Sequence, residues 1–115
     1  MAVISFGEQS NQIWGSAGWA FRQALKDLRP YARGNLAFLA TLEQAEHIGY
    51  LGVEALEPAL RGTVTGAMKE MCMRIISGVR PPTVNQSLPD DRVAHDLYRE
   101  AIKDLLLMAE AAEQS

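Results

Sequence analysis

The stretch that decides the fold is SLPDDRVAHDLYREAIKDLLLMAEAAE, residues 87–113. Its start is typical of a helix entrance, because Ser87 can cap a helix, Pro89 fits a first turn and Asp90 suits the positive helix end. Apolar residues then recur once per helical turn, namely Ala94, Leu97, Tyr98, Ala101, Leu105, Met108 and Ala112. The charged residues lie on the opposite side, namely Arg92, Asp96, Arg99, Lys103 and Glu110. The pattern predicts an amphipathic helix whose apolar face packs against other helices.

Three more helices are predicted from the same periodicity, over about 11–28, 36–48 and 53–77. The first begins at Ser10 or Asn11 and ends before Pro30, which disfavours helix at the preceding residue. Its predicted buried stripe is Ile13, Trp14, Ala17, Phe21, Ala24, Leu25 and Leu28, with Trp19 on the opposite side. The second is apolar on several sides, which predicts a central position in a bundle. With the last helix at about 88–113, the sequence predicts one all-α domain over residues 1–115, a compact four-helix bundle-like fold.

Three segments lie outside this simple pattern. Residues 1–9 are irregular, with a possible extended piece at Val3–Phe6 that has no strand partner within a helical chain. Gly62 and Gly66 interrupt the third helix, so either another helix approaches closely there or the helix breaks near them. We favour close packing. A proline-rich loop, residues 78–87, precedes the last helix.

Composition excludes several classes of protein. The 115 residues carry a formal net charge of −3, which gives no general attraction to nucleic acid or to an anionic membrane. The best-formed predicted helix, the last one, is acidic, so it does not suit DNA recognition. No apolar run approaches the ~20 residues that span a bilayer, and residues 1–6 do not resemble a secretory signal. With Cys72 as the single cysteine, we expect a cytoplasmic protein.

Charge alternates along the chain. Residues 22–33 and 61–80 are basic, whereas residues 34–60 and 87–115 are acidic. This alternation predicts that oppositely charged helices lie side by side.

Few residues suggest catalysis. Cys72 lies between Met71 and Met73 at the edge of a predicted buried stripe, and no base can be placed beside it, so a buried small apolar role is favoured. No phosphate-binding glycine loop, Ser-His-Asp pattern or Cys-x-x-Cys motif is present. We therefore assign no catalytic residue and no cofactor, and favour a non-enzymatic protein.

A metal site is one alternative. An acid precedes each histidine by one helical turn, and the residues that would converge on a divalent ion are Glu43, Glu46, His47, Asp91 and His95. The spacing differs from the Glu-x-x-His of helical di-iron sites, and exposed i,i+4 pairs are the simpler interpretation.

Arginines suggest a second alternative. Arg29 and Arg33 flank the end of the first helix, while Arg74 and Arg80 flank the end of the third. If those helices are neighbours, the four guanidinium groups form a patch for a phosphate, nucleotide or carboxylate, with Tyr31 as a flat wall. Scattered surface ion pairs are the competing interpretation.

Large apolar residues on predicted polar faces indicate a contact surface. Trp19, Met73 and Leu107 each lie among polar neighbours on a helical projection. A symmetric homo-oligomer is the simplest use of such residues. The sequence thus favours a helical interaction protein that self-associates and binds a protein or small anionic partner.

Overall fold

The computed structural model describes residues 2–7, 9, 12–16, 18–78 and 92–114, with the backbone alone at 16, 92–95 and 114. Along these ranges the elements are β1 (Ala2–Ser5), β2 (Ile13–Ser16), α1 (Gly18–Leu28), a 3-10 turn (Arg29–Ala32), α2 (Leu36–Ile48), β3 (Tyr50–Gly52), a second 3-10 turn (Val53–Ala55), α3 (Pro58–Ile76) and α4 (Arg92–Gln114). The fold is mostly helical, but it includes a small sheet. The prediction of a strictly all-α domain is therefore wrong.

The sheet has the strand order β2-β1-β3. β1 pairs antiparallel with β2 and parallel with β3, so that Ile4 lies opposite Trp14 on one side and Leu51 on the other. The extended piece near Val3 thus has two partners within the chain, contrary to our expectation. One of them, β3, is 45 or more residues away and too short to be recognised from a pattern of apolar residues.

The first helix begins at Gly18, seven residues later than the 11 predicted, because residues 13–16 form β2. Because successive side chains of a strand point to opposite faces, Ile13 is 38% exposed whereas Trp14 is only 3% exposed. The indole Nε1 of Trp14 donates a hydrogen bond of 2.8 Å to the carbonyl oxygen of Ala101 on α4. Placing Ile13 and Trp14 on a helical stripe was wrong, since two residues cannot distinguish a period of 2 from one of 3.6.

α2 has the predicted bounds. The side-chain oxygen of Asn35 accepts a 3.1 Å hydrogen bond from the amide of Phe38, and Gly49 ends the helix with φ = +76°. Its predicted central position is wrong, because Leu36 is 82% exposed and Ile48 is 59% exposed. The other elements cover one side of α2 only.

α3 is a continuous helix whose glycines face open space. It begins at Pro58, after the second 3-10 turn, and not at 53. A Cβ atom built on Gly62 or Gly66 would meet nothing within 4 Å, and both residues are exposed. Among the described elements, no helix approaches α3 closely at Gly62 and Gly66, and α3 does not break near Thr63–Thr65. Both predictions are therefore wrong.

α4 packs along α3 through Tyr98, Ile102, Leu105 and Ala109, all of which are buried. Leu97, which we placed on this face, is instead 59% exposed, because it lies 100° around the helix from Tyr98 and off the buried line. The predicted start of the helix at 88 lies outside the described residues. One apolar core joins the sheet to the helices; its largest fully buried side chains include Ile4, Phe21, Leu28, Phe38, Leu42, Leu51, Met68, Met71, Ile102 and Leu105.

Two ion pairs join basic to acidic segments, as the alternation of charge predicts. Arg29 lies 3.4 Å from Glu46 on α2, and Lys69 on α3 lies 3.1 Å from Glu113 on α4. All four side chains are substantially exposed, so each pair stabilises the fold by about 1 kcal/mol at most. Among the described helices, none is long and apolar enough to cross a bilayer.

Candidate functional site

A basic cavity of about 500 Å³ lies between the end of α1 and one side of α2. Its lining residues are Lys26, Arg29, Pro30, Arg33, Gly34, Leu39 and Glu46. All of them belong to one continuous part of the chain, which runs from a helix end through a turn into the next helix. This volume falls within the range of small-molecule sites in proteins.

The local sequence explains why the cavity forms here. Pro30 cannot continue an α-helix, so the chain tightens into a 3-10 turn after Leu28. Gly34 then adopts φ = +78°, a conformation that other residues rarely take, and Asn35 caps the start of α2. These turn residues hold Arg29 and Arg33 on the wall that faces α2.

Among the described lining residues of the cavity, Lys26, Arg29 and Arg33 are cationic and Glu46 alone carries a carboxylate. The Arg29–Glu46 contact of 3.4 Å joins two side chains that are 49% and 39% exposed, so it is easily exchanged for another anion. Within the described part of the chain, Arg33 forms no ion pair. Among the described residues, Arg33 is therefore the cation of this lining whose charge is not compensated by an ion pair.

The predicted arginine patch is brought together only in part. Arg29 and Arg33 line the cavity, and Lys26 joins them, a residue that the sequence analysis did not select. Arg74 lies elsewhere, with its guanidinium 3.0 Å from Glu70 and 6.0 Å from the ring centroid of Tyr31. Arg80 lies outside the described residues.

Tyr31 follows Pro30 in the turn and is half-buried. Its hydroxyl oxygen is buried and has no hydrogen-bond partner in the structure. Burial raises the pKa of the Tyr31 hydroxyl above its ordinary value of 10.0, and the nearby Arg74 guanidinium opposes part of that rise. Tyr31 is not among the described lining residues of the basic cavity, so the structure does not place it as the predicted flat wall; its ring lies near Arg74 instead.

A buried polar cluster lies on the far side of α1, and the sequence analysis missed it. Asp27, next to Lys26 in the chain, is 8% exposed and accepts two hydrogen bonds. Tyr98 donates to its Oδ2 at 2.7 Å, and Gln23 donates to its Oδ1 at 3.0 Å. The i,i+4 spacing of Gln23 and Asp27 was a usable signal, but nothing local indicates Tyr98, 71 residues away. The cluster fixes the end of α1 against α4.

Of the three predicted contact residues, two are exposed. Met73 is 51% exposed and Leu107 is 66% exposed. Trp19 is only partly exposed, since its ring centroid lies 6.1 Å from that of Tyr98. Placing Trp19 on a solvent face was wrong, because the Tyr98 ring of α4 lies against it.

The alternative metal ligands are not gathered within the described residues. Glu43 and His47 are exposed on α2, and Glu46 pairs with Arg29. Asp91 and the side chain of His95 lie outside the described part of the structure. In the ranges that the structure describes, no three His, Cys, Asp or Glu side chains form a group that could hold a metal ion.

Cys72 is fully buried, as predicted, and burial raises the pKa of its thiol to about 12. A thiol with so high a pKa is almost entirely protonated at neutral pH and is a poor nucleophile.

Comparison with protein-family models finds no matching family, and comparisons with curated proteins and with solved structures find no significant match.

Proposed function

We propose that this chain is a non-enzymatic helical binding protein whose basic cavity takes a small anionic ligand. The observation that supports the proposal is the grouping of Lys26, Arg29 and Arg33 around one cavity, in which Glu46 is the one carboxylate of the described lining residues. Guanidinium groups bind phosphate and carboxylate oxygens through paired hydrogen bonds, and an ammonium group adds a point charge.

The lining of the cavity indicates which class of ligand suits it. Pro30 and the partly buried Leu39 supply apolar wall between the cations. A ligand with one anionic group and a small flat or apolar part would contact both kinds of surface. Phosphate monoesters, including mononucleotides, and small polycarboxylates have this chemistry.

The test is calorimetric titration of the purified chain with AMP, inorganic pyrophosphate and citrate at low salt. We expect at least one of them to bind with one site per chain, and its affinity to fall as salt screens the charges. Arg33→Gln should weaken binding about tenfold or more, the loss expected for one charge-assisted contact. Arg22→Gln, an exposed arginine on α1 outside the cavity, is the matched control and should bind like the parent.

Two results would contradict this proposal. One is the absence of binding by all three anions at about 10 mM, an affinity too weak to count as a site. The other is an equal loss of affinity in Arg33→Gln and Arg22→Gln, which would indicate diffuse surface charge.

Self-association is a second candidate, favoured by the exposed apolar residues. On α2, Leu36 and Ile48 lie at the two ends of a solvent-facing side that also carries the exposed Ala37 and Ala40. Ala37 and Ala40 are small residues in the first turns of that side, and the exposed Glu43 and Gln44 follow at its middle. A symmetric antiparallel pair would bring Leu36 of one copy to Ile48 of the other.

Light scattering across a range of protein concentrations tests this candidate. We expect a dimer mass that Leu36→Glu reduces to the monomer mass. Met73→Glu on α3 and Leu107→Glu on α4 are the control variants, because each adds the same charge at another exposed apolar residue. They test whether the interface lies on α2 or on one of these helices. A monomer mass for the parent at every concentration would eliminate self-association.

A further inference from the structure

A second cavity, of about 310 Å³, lies where the sheet meets α3 and α4, and it shares no residue with the basic cavity. Its lining residues are Phe6, Val53, Glu54, Pro58, Arg61, Gly62, Thr65, Ala112 and Glu113. We call it the Glu54 cavity. Its walls are polar and apolar in about equal measure, with Phe6, Val53 and Pro58 beside Glu54, Arg61 and Glu113.

The two carboxylate oxygens of Glu54 have unequal surroundings. Oε1 accepts hydrogen bonds from the Ser5 hydroxyl at 3.0 Å and the Tyr50 hydroxyl at 3.3 Å. Oε2 is buried and has no hydrogen-bond partner in the structure. A buried carboxylate oxygen without a donor is destabilising, so the Glu54 carboxylate is favoured by an additional donor. Among the described residues, no cation lies within ion-pair distance of Glu54.

Arg61 is the cationic group of the same cavity. Its Nη2 donates a 3.1 Å hydrogen bond to the carbonyl oxygen of Leu56, which holds the guanidinium in place and leaves its other N–H groups for further acceptors. Arg61 forms no ion pair with any carboxylate of the described residues, Glu54 included. The described lining of this cavity therefore holds Arg61 and two carboxylates, of which Glu113 pairs with Lys69 and Glu54 forms no ion pair with Arg61.

Gly62 leaves this cavity open. A Cβ atom built there meets nothing within 4 Å, although a glycine in the interior of a helix costs about 1 kcal/mol relative to alanine. The apolar wall opposite is formed by Phe6, Val53 and Pro58.

From this arrangement we infer that the Glu54 cavity binds a small zwitterion, a molecule with an ammonium group and a carboxylate, such as a free amino acid. The ammonium group donates to the Glu54 carboxylate, and the ligand's carboxylate accepts from the N–H groups of Arg61. The volume suits a ligand of this size, at the lower end of the range for small-molecule sites.

The experiment is calorimetric titration of the full chain with each natural L-amino acid. At least one should bind saturably. For the tightest of them, the decarboxylated amine and the deaminated acid should each bind at least tenfold more weakly, because each lacks one of the two charged contacts. Glu54→Gln and Arg61→Gln should weaken the binding of the amino acid by a similar factor. Glu57→Gln, which removes a carboxylate outside the cavity, should not weaken it.

Two glycine variants provide a matched pair. Gly62→Leu fills the cavity and should abolish binding, while Gly66→Leu, one turn later on the same exposed line and outside the cavity, should leave binding unchanged. Both should raise the Tm, because leucine favours helix and neither Cβ meets another atom. A raised Tm therefore shows that a loss of binding in Gly62→Leu does not come from unfolding.

Several outcomes would overturn the inference. The inference is wrong if no amino acid binds at about 10 mM, or if the amine binds as tightly as the amino acid. It is also wrong if Gly62→Leu binds like Gly66→Leu. Arg33→Gln should bind the amino acid normally, and a loss there would place the ligand in the basic cavity instead.

Discussion

The two cavities of this chain are built in different ways. The basic cavity comes from one continuous stretch, residues 26–46, in which a proline turn and a capped helix bring the cations together. The Glu54 cavity is assembled from residue 6, residues 53–65 and residues 112–113, which meet only after the sheet has formed and α4 has packed on α3. Local chain geometry thus determines the basic cavity, and long-range packing determines the Glu54 cavity.

The largest expected effects test whether the sheet is as integral to the fold as α2. Ile4 at the centre of the sheet is 0% exposed, and Leu42 on α2 is 1% exposed. Ile4→Ala and Leu42→Ala should each lower the free energy of unfolding in urea by about 2–5 kcal/mol, because each deletes buried methyl groups from the same core.

The sheet is less integral to the fold than α2 if Ile4→Ala lowers the free energy of unfolding by less than about 1 kcal/mol while Leu42→Ala lowers it by the expected amount. The sheet would then be a peripheral addition, and the Glu54 cavity would not be stably formed.

A smaller effect is expected where α1 is held against α4. Tyr98→Phe removes the 2.7 Å hydrogen bond to the buried Asp27 carboxylate and should cost about 1.5–3 kcal/mol of unfolding free energy. Tyr50→Phe is the matched control, since it removes a 3.3 Å bond from a 45% exposed tyrosine to Glu54 and should cost far less. Equal losses in the two variants would show that the Asp27 cluster is not a specific support of the basic cavity.

A dependence of stability on alkaline pH is also expected; it is small near pH 9.0 and grows above it. The thiol of Cys72 has a pKa of about 12 in the folded chain, against 9.0 as its ordinary value. Between these values the unfolded chain has lost a proton that the folded chain retains, so stability falls as pH rises, with this group contributing up to about 1.4 kcal/mol per pH unit. Urea unfolding at several pH values above 9.0 should therefore give a shallower slope for Cys72→Ala than for the parent. Identical slopes would contradict the burial of the thiol.

The local part of the fold was predictable from the sequence. The bounds of α2 follow from Asn35 and Gly49, which act on their immediate neighbours. The periodicity of α4 indicates Tyr98 and Leu105 of its buried face, but it misses Ile102 and Ala109. The cluster of Arg29 with Arg33 was predictable for the same reason, since the turn that joins them is encoded by Pro30 and Gly34.

The long-range part was not predictable. β1 is four residues long, and its partners at 13–16 and 50–52 carry too few residues to show a period. The Glu54 cavity depends on that pairing, because Ser5 on β1 donates to Glu54 just after β3. Leu36 and Leu97 show a second limit of prediction from the apolar pattern. An apolar residue in a helix remains exposed when no element covers its side of the helix.

The most direct test of the account is a two-dimensional NMR titration of the labelled chain with AMP. We expect the amide and arginine Nε signals of Arg29 and Arg33 to shift saturably together with the amide of Leu39, while those of Arg61 and Gly62 in the Glu54 cavity remain in place. Saturable shifts that are absent from residues 26–46, or that are spread evenly over all exposed arginines, would contradict the assignment of the basic cavity as a binding site.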